Sequence, residues 1–264
     1  MEVHHHPHIP THAKPWKEYL LEGLMIFVAV TLGYGAENVR EHYVETKKAL
    51  ISAKNLYVDV INDSIGYANT IKSRAKQDSC FEIINAYYNN NELDKEIQSV
   101  YAAHSYMTRR NLYQMNSLAL DEVKNSGTLK FLESDELKAA IQRYASQGIG
   151  LKLREQREFS YIDRMLDPIS INNFKFNFLR VAGDNFKIDS NKILITIPVP
   201  DNLKIIKKDQ LDWDNYIAIL GMLQTIREST NRSYILPSQK QCHELLTLLR
   251  NYLIKHDALE NNNH

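Results

Sequence analysis

The sequence predicts a mainly α-helical protein, in which an N-terminal transmembrane helix continues into a long helix, followed by a multi-helix soluble domain with a short extended excursion. The run from Leu20 to Ala36 has no charge after Glu22 and no proline. The stretch from Glu37 to Arg74 also has no proline, so nothing in it ends a helix. Most later segments repeat apolar residues at every third or fourth position, which is the helical period.

Composition limits the class of protein. Of the 264 residues, 44% are hydrophobic and 24% are charged, which is enough apolar material for a sizeable core. Lys and Arg total 32 and Asp and Glu total 32, so no net charge attracts nucleic acid, and we expect no nucleic-acid partner. The content of 9 Gly, 7 Pro and 2 Cys excludes collagen-like, low-complexity and disulfide-dense classes.

The apolar run has the length and the flanks of a membrane span. Residues 20–36 would form a helix of about 25 Å, near the lower limit for a hydrocarbon core of about 30 Å. Trp16 and Tyr19 lie at one end and Tyr34 and Tyr43 at the other, where aromatic side chains anchor a span at the interface. We therefore expect the lipid bilayer to be a partner of this helix.

Three other interpretations compete with a retained anchor. A cleaved signal peptide would use Lys14 and Lys17 as its basic region and the stretch 33–36, which is rich in small residues, for cleavage, but Glu22 is unusual inside its apolar part. A buried core helix is rarely apolar on every face. An interfacial helix needs a polar face, which Leu24 to Leu32 does not supply.

The basic residues around the run bear on its orientation. Two precede it and four follow it, which by a bare count favours a cytoplasmic C-terminal part; they are Lys14, Lys17, Arg40, Lys47, Lys48 and Lys54. Long domains translocate largely regardless of charge, however, and the N-terminal flank is short. We predict a single-pass protein of the inner membrane, with its soluble domain in the periplasm.

The chain divides into six predicted parts: a His-rich flexible tail at 1–19, the transmembrane helix at 20–36, a helical domain at 37–167, an irregular or extended excursion at 168–208, a C-terminal helical hairpin at 209–257 and a disordered tail at 258–264. The excursion contains a single strand-like run, at 192–197, and one short strand cannot form a sheet. No β domain is therefore expected.

Within the helical domain, the first helix is predicted to reach about Ala75. It carries a heptad-type seam that suits packing inside a domain better than a dedicated coiled coil, formed by Leu50, Ala53, Tyr57, Val60, Ser64, Tyr67 and Ile71. Further helices are predicted at 78–88, 93–107, 110–124 and 134–166, and the closing hairpin at 212–228 and 237–256. Ser134 is expected to cap a helix, Gly127 to take a left-handed stop conformation, and Asp212 and Asp214 to lie at a helix start.

Two stretches resemble a known group of proteins. The sequence LALDEVKNSGTLKFLESDELKAAIQRY at Leu118–Tyr144 and the start WKEYLLEGLMIFVAVTLGYGAENVREH are similar to uncharacterised single-pass membrane proteins common in Bacteroidota. Together they cover about a fifth of the chain, and neither contains a catalytic motif. The resemblance implies a membrane-anchored helical protein, and it supplies no active-site residues.

A histidine cluster is the candidate metal site. It consists of His4, His5, His6, His8 and His12, whose imidazoles are ligands that zinc, copper and nickel prefer. Prolines interrupt the run, which argues against a purification tag, and a tail without fixed geometry would bind metal weakly. A polar flank that helps to set membrane topology is the favoured interpretation, with low-affinity or functional metal binding as alternatives.

The remaining candidates for chemistry favour ordinary structural roles. Cys80 and Cys242 lack CxxC spacing and are expected to be separate core cysteines rather than a disulfide. Glu155 and Glu158 alternate with basic residues, which is typical of a solvated helix face. No HExxH, GxSxG, GxxxxGK[ST] or GxGxxG motif occurs.

These observations predict a membrane-anchored binding or scaffold protein of the bacterial envelope, without catalytic activity or a cofactor. Its expected partner is another protein, or a second copy bound through the anchor and the long helix. Ala29, Gly33 and Ala36 have the small-residue spacing that lets two membrane helices approach closely. The alternative is a metal- or stress-responsive sensor that uses the N-terminal histidines, and an enzyme ranks third.

Overall fold

A computed structural model describes residues 15–110, 113, 115–207 and 211–259. The mainly α prediction is confirmed: these residues form eight α-helices and one two-stranded antiparallel sheet. The helices are α1 (Trp16–Asn89), α2 (Ile97–Met107), α3 (Leu118–Asn125), α4 (Asp135–Tyr161), α5 (Asp167–Asn173), α6 (Phe176–Ala182), α7 (Trp213–Thr230) and α8 (Leu236–Lys255), and the strands are β1 (Phe186–Asp189) and β2 (Lys192–Ile195).

Helix α1 contains 74 residues, which makes it about 110 Å long. The break predicted after Ala75 is absent, because the core-facing positions continue through Arg74, Gln77 and Cys80, all of which are buried. No glycine or proline interrupts them. The helix ends where Asn91 takes a left-handed backbone conformation, with φ of 56°.

Apart from the ring of His42, which lies 5.8 Å from that of Phe131, the N-terminal part of α1 lies outside the bundle. None of residues 16–44 is buried, and the first buried residue of the helix is Ala49. This helix is the one in the described part of the chain that is long and apolar enough to cross a membrane. The prediction of a helix that could span a membrane and continues into a domain therefore agrees with the structure.

The rest of α1 forms the centre of a helical bundle with two apolar clusters. The proximal cluster, nearer the exposed end of α1, includes Leu56, Leu137 and Leu245; the distal cluster includes Ile84 and Leu220. The predicted seam of α1 faces inward: three of its residues, Ala53, Val60 and Tyr67, are buried and the other four are half-buried. Ser134 and Asp212 cap their helices and Gly127 has φ of 74°, as predicted.

Two prolines are accommodated by wide helical turns instead of breaks. A π-helical turn at Ile162–Leu166 joins α4 to α5 just before Pro168, and another at Asn231–Ile235 joins α7 to α8 just before Pro237. Proline lacks an N–H and its ring clashes with the carbonyl four residues earlier, which a wider turn relieves. The predicted hairpin at 209–257 is therefore wrong: helical backbone continues from α7 through the turn into α8.

The region 168–208 is more regular than predicted. It contains α5, α6 and a β-hairpin in which Phe186 pairs with Ile195 and Asp189 with Lys192. The two-residue turn, Ser190 and Asn191, has positive φ at both positions, the conformation that matches the twist of a hairpin. The strand-like run therefore has a partner, and the expectation of a lone strand is wrong.

The predicted helix at 110–124 is also too long. Tyr113 and residues 115–117 are not helical, and α3 begins at Leu118. Side chains of α1 provide the reason, because Asp63 accepts a hydrogen bond from the backbone N–H of Asn116 (3.0 Å) and Asp59 from that of Ala119 (3.3 Å). These carboxylates compensate for helical hydrogen bonds that the segment does not make.

Gly66 of α1 lies directly beneath the ring of Tyr113. A Cβ atom at position 66 would be 1.8 Å from Cε2 of that ring, so only glycine allows Tyr113 to cross the helix here. We predict that Gly66→Ala destabilises the protein by about 1–3 kcal/mol, although alanine is intrinsically the better helix former. Urea unfolding of the full chain in detergent measures the change.

Gly221→Ala on α7 is the matched control. A Cβ atom there would meet Cζ of Phe81 at 3.5 Å, an ordinary contact. This variant should keep or slightly raise the stability of the protein. A Gly66→Ala protein as stable as Gly221→Ala would contradict the close packing of Tyr113 on α1.

Candidate functional site

A cleft of about 550 Å³ opens between α4 and the segment from Tyr113 to Lys124. This volume is in the range of small-molecule sites. Most of the contact surface is apolar and comes from Met115, Leu120, Ile149, Leu151 and Phe159. The polar lining residues are Tyr113, Ser117, Asp121, Lys124, Lys152, Glu155 and Gln156.

One buried carboxylate holds both walls of the cleft. Asp63 of α1 accepts hydrogen bonds from the hydroxyl groups of Tyr113, on one wall, and Tyr144, on α4. Burial raises the pKa of both tyrosines above the ordinary value, so both hydroxyl groups remain protonated donors. Asp59 adds a hydrogen bond from Nδ2 of Asn116 (2.7 Å). The walls are therefore fixed to α1 before any ligand enters.

Glu155 of α4 forms part of the cleft floor. It is 4% exposed, and its Oε1 has no hydrogen-bond partner among the described residues. Burial raises the pKa of this carboxyl to about 7, although the backbone N–H of Tyr113 and the charge of Arg74 act in the opposite direction. Near neutral pH the group is consequently divided between its charged and neutral forms.

Behind the floor, a charged layer crosses the bundle between the two apolar clusters. Oε1 of Glu158 on α4 accepts a hydrogen bond from Nε of Arg227 at 2.9 Å, and Oε2 lies 3.0 Å from Nη2 of Arg74. All three side chains are at most 2% exposed. Arg227 also donates to the carbonyl oxygens of Met107 (2.6 Å) and Arg109 (3.5 Å). The layer joins α1, α4 and α7 to the C-terminal end of α2.

The expectation that Glu155 and Glu158 lie on a solvated face is wrong. The apolar positions of α4, Leu137, Ile141, Tyr144 and Leu151, are spaced by three, four or seven residues, and the same pattern continues through 155 and 158 to Ile162. Extending the stripe would have placed both carboxylates in the core. Their basic neighbours in sequence obscured this signal.

A buried histidine in the distal cluster is a second arrangement with possible chemistry. Nδ1 of His104 is 3.1 Å from the hydroxyl of Tyr216 and Nε2 is 2.7 Å from the hydroxyl of Ser170, while the ring stacks on Phe174 at 4.3 Å. Ser170 donates to the carbonyl of Leu166 (3.0 Å), so it accepts from Nε2–H and Tyr216 donates to Nδ1. With a neutral imidazole, each nitrogen of His104 therefore has a hydrogen-bond partner of the right kind.

This histidine is poorly suited to act as a base. Burial lowers the pKa of His104 to about 3, whereas an efficient general base has a pKa near the working pH. Its partner Tyr216 is a phenol rather than a carboxylate, and burial raises the pKa of that phenol. We interpret the Ser170–His104–Tyr216 chain as a structural element of the distal cluster.

The histidines predicted to bind metal, His4, His5, His6, His8 and His12, lie outside the described residues. Among the residues that are described, no three His, Cys, Asp or Glu side chains are grouped to hold a metal ion. Cys80 and Cys242 are buried free thiols in different apolar clusters, which confirms that they are separate core cysteines. Burial raises the pKa of each thiol to about 12.

Comparisons of the chain with models of protein families, with curated proteins and with solved structures find no match. The assignment of a function therefore depends on the anchor, the cleft and the buried groups described above.

The hydrogen-bonded chain at His104 predicts a specific acid sensitivity. The pKa of His104 in the folded protein lies below the ordinary unfolded value of about 6.5. The neutral imidazole therefore stabilises the folded protein fully above that pH, and this stabilisation is lost as the pH falls. At pH 5 the loss is about 2 kcal/mol, from about 1.5 pH units at about 1.36 kcal/mol each. Urea unfolding at pH 7.5 and pH 5.0 measures it.

His104→Gln should be less stable at pH 7.5 and should lose about 2 kcal/mol less than the unmodified protein between the two pH values. His243→Gln, at an exposed histidine of α8, is the control and should retain the full loss. Carboxyl groups titrate equally in all three proteins. An equal loss of stability in His104→Gln and the unmodified protein would show that the imidazole is not held neutral.

Proposed function

We propose that this protein is a membrane-anchored helical binding protein of the bacterial envelope, with its soluble domain in the periplasm and a small-molecule cleft in that domain. The observation that carries the proposal is the division of α1 into two parts. None of residues 16–44 is buried in the bundle, whereas α1 supplies the centre of the bundle from Ala49 onward. Soluble proteins rarely expose a contiguous apolar surface of this size.

The cleft supports a binding role for the domain. It combines a mostly apolar lining with a few polar groups, and Asp63 holds its two walls in position. Preorganised clefts of this kind bind ligands without a large ordering cost. The proposed role needs no catalytic group.

Carbonate extraction followed by protease accessibility tests the proposed anchor and its orientation. The full chain should remain in the membrane pellet at alkaline pH, because a spanning apolar helix is not released by loss of charge. In intact spheroplasts, protease added outside should cleave the soluble domain and leave the N-terminal flank protected. Release by carbonate would refute the anchor, and protection of the domain would refute the periplasmic location.

We further propose that a second copy of the chain binds along α1. An apolar stripe with seven-residue spacing, formed by Val44, Ile51, Val58 and Ile65, is 37–56% exposed on the side of α1 away from the bundle. All four residues are β-branched, the residue type found at the a positions of parallel two-helix coiled coils. Anchored copies would present this stripe at equal height above the membrane, so identical residues would meet.

The small residues of the apolar run lie on the same face of α1 as this stripe. On an α-helix, Gly33 lies within about 20° of Val44, because eleven residues turn the helix by about 1,100°. The small-residue face of the span thus continues into the stripe. Lys47 and Lys54 lie between the apolar positions, and their long side chains can extend past a partner helix into water.

Cysteine cross-linking in membranes tests this contact. Ile51→Cys and Val58→Cys should each form a disulfide-linked dimer on mild oxidation, since equivalent residues would be within bridging distance. The native thiols at positions 80 and 242 are buried. Ser146→Cys, exposed on α4, is the control and should stay monomeric. Equal cross-linking at all three positions would reflect random collision and would contradict the proposed interface.

A further inference from the structure

Glu155 lies at the floor of the cleft with a carboxyl group that the protein satisfies only in part. Its Oε1 is buried and accepts no hydrogen bond from any described residue. A buried acceptor without a partner costs about 1–3 kcal/mol, and more when it is charged. Because Glu155 also lines the cleft, a molecule that enters the cleft can supply the missing partner.

Among the described residues, the cations near Glu155 form ion pairs with Glu158 or lie at the surface, and the guanidinium nitrogens of Arg74 have no hydrogen-bond partner. Arg74 approaches Oε2 of Glu158 at 3.0 Å, and Arg227 is bound to the same carboxylate. Lys124 and Lys152 are exposed at the mouth of the cleft and form no ion pair with another described residue. The protein therefore provides no cation in direct contact with the Glu155 carboxyl.

The surroundings of the carboxyl are suited to an apolar molecule of modest size. Met115, Leu120, Leu151 and Phe159 contribute apolar surface to the same cleft. An aromatic ring such as that of Phe159 is also attractive to a nearby ammonium group. A cavity of about 550 Å³ holds a ligand with a ring and a short chain.

We propose that the cleft binds a small organic cation, an apolar molecule with a primary ammonium group that pairs with Glu155. The apolar body of this ligand packs against the residues of α3 and α4 that line the cleft. The inference deepens the proposed binding role and rests on it. It does not depend on the anchor.

Titration calorimetry with three probes that share one body tests the charge preference. The probes are 4-phenylbutylamine, 4-phenyl-1-butanol and 4-phenylbutyrate, added to the full chain in detergent micelles with empty micelles subtracted. The amine should bind at least about tenfold more tightly than the alcohol, and the acid more weakly than the alcohol. Titrations at pH 7 in two buffers of different ionisation enthalpy should show that binding of the amine releases protons, because the bound carboxyl is ionised.

Variants assign the effect to Glu155. Glu155→Gln keeps the shape of the side chain and should reduce binding of the amine to the level of the alcohol. Glu136→Gln, at an exposed glutamate of the same helix, should bind the amine as the unmodified protein does. Tighter binding of the acid than of the amine would show that Lys124 and Lys152 determine the ligand, and would overturn the proposal. So would undiminished binding of the amine by Glu155→Gln.

The unmodified protein supplies an independent test if Glu155→Gln fails to fold. Below pH 7 the affinity for the amine should fall about tenfold per pH unit as Glu155 becomes protonated, while that for the alcohol stays constant. The other ionisable groups around the carboxyl include Tyr67, Arg74, Tyr113, Asp121, Lys124, Lys152 and Glu158, and the alcohol reports any change in the cleft that they cause. An affinity for the amine that does not change with pH would overturn the proposal. Membrane extraction reads a separate property, so failure here leaves the anchor standing.

Discussion

The carboxylate of Glu158, on α4, fixes the positions of α1, α7 and the end of α2 relative to one another. It forms an ion pair with Arg74 of α1 and accepts a hydrogen bond from Arg227 of α7, and Arg227 also donates to the carbonyl oxygen of Met107 at the end of α2. Removing one partner of such a buried group leaves an uncompensated charge, which costs about 3–5 kcal/mol. The bundle therefore has little freedom to slide, because any shift of one helix along another would separate these charges.

The two apolar clusters on either side of this layer have different tasks. The proximal cluster holds the walls of the cleft, since Asp63 and Asp59 attach the segment before α3 to the same helix that forms the centre of the domain. The distal cluster contains a chain of neutral donors and acceptors through His104. At the boundary between the clusters, Glu155 is both a neighbour of the charged layer and part of the cleft floor.

Much of the fold could be predicted from local pattern. The apolar run, the seam of α1 and the caps at Ser134 and Asp212 depend on neighbours in sequence, and the structure agrees with them. The burial of Glu155 and Glu158 could not be predicted in this way, because glutamate is a residue type usually found in water. Their burial depends on partners from other helices, which a single stripe does not reveal.

Other predictions are wrong where the same local sequence is compatible with two backbone structures. Pro168 and Pro237 usually end a helix, but a wide turn lets the helical backbone continue, and the choice is made by packing. The segment before α3 has helical composition, yet side chains of α1 bind its backbone. The cleft itself could not be predicted, since residues from two distant segments meet only after the bundle has formed.

One uninterrupted helix is both the exposed N-terminal segment and the centre of the bundle. The bundle therefore has a fixed rotation about the axis of α1 relative to that segment. The chain between Ala36 and Ala49 is helical throughout and contains no hinge. One added residue in that stretch would turn the whole bundle by about 100° and move it by about 1.5 Å along the axis. The number of residues between the apolar run and the core thus sets the rotation of the bundle about α1, and with it the direction in which the mouth of the cleft faces.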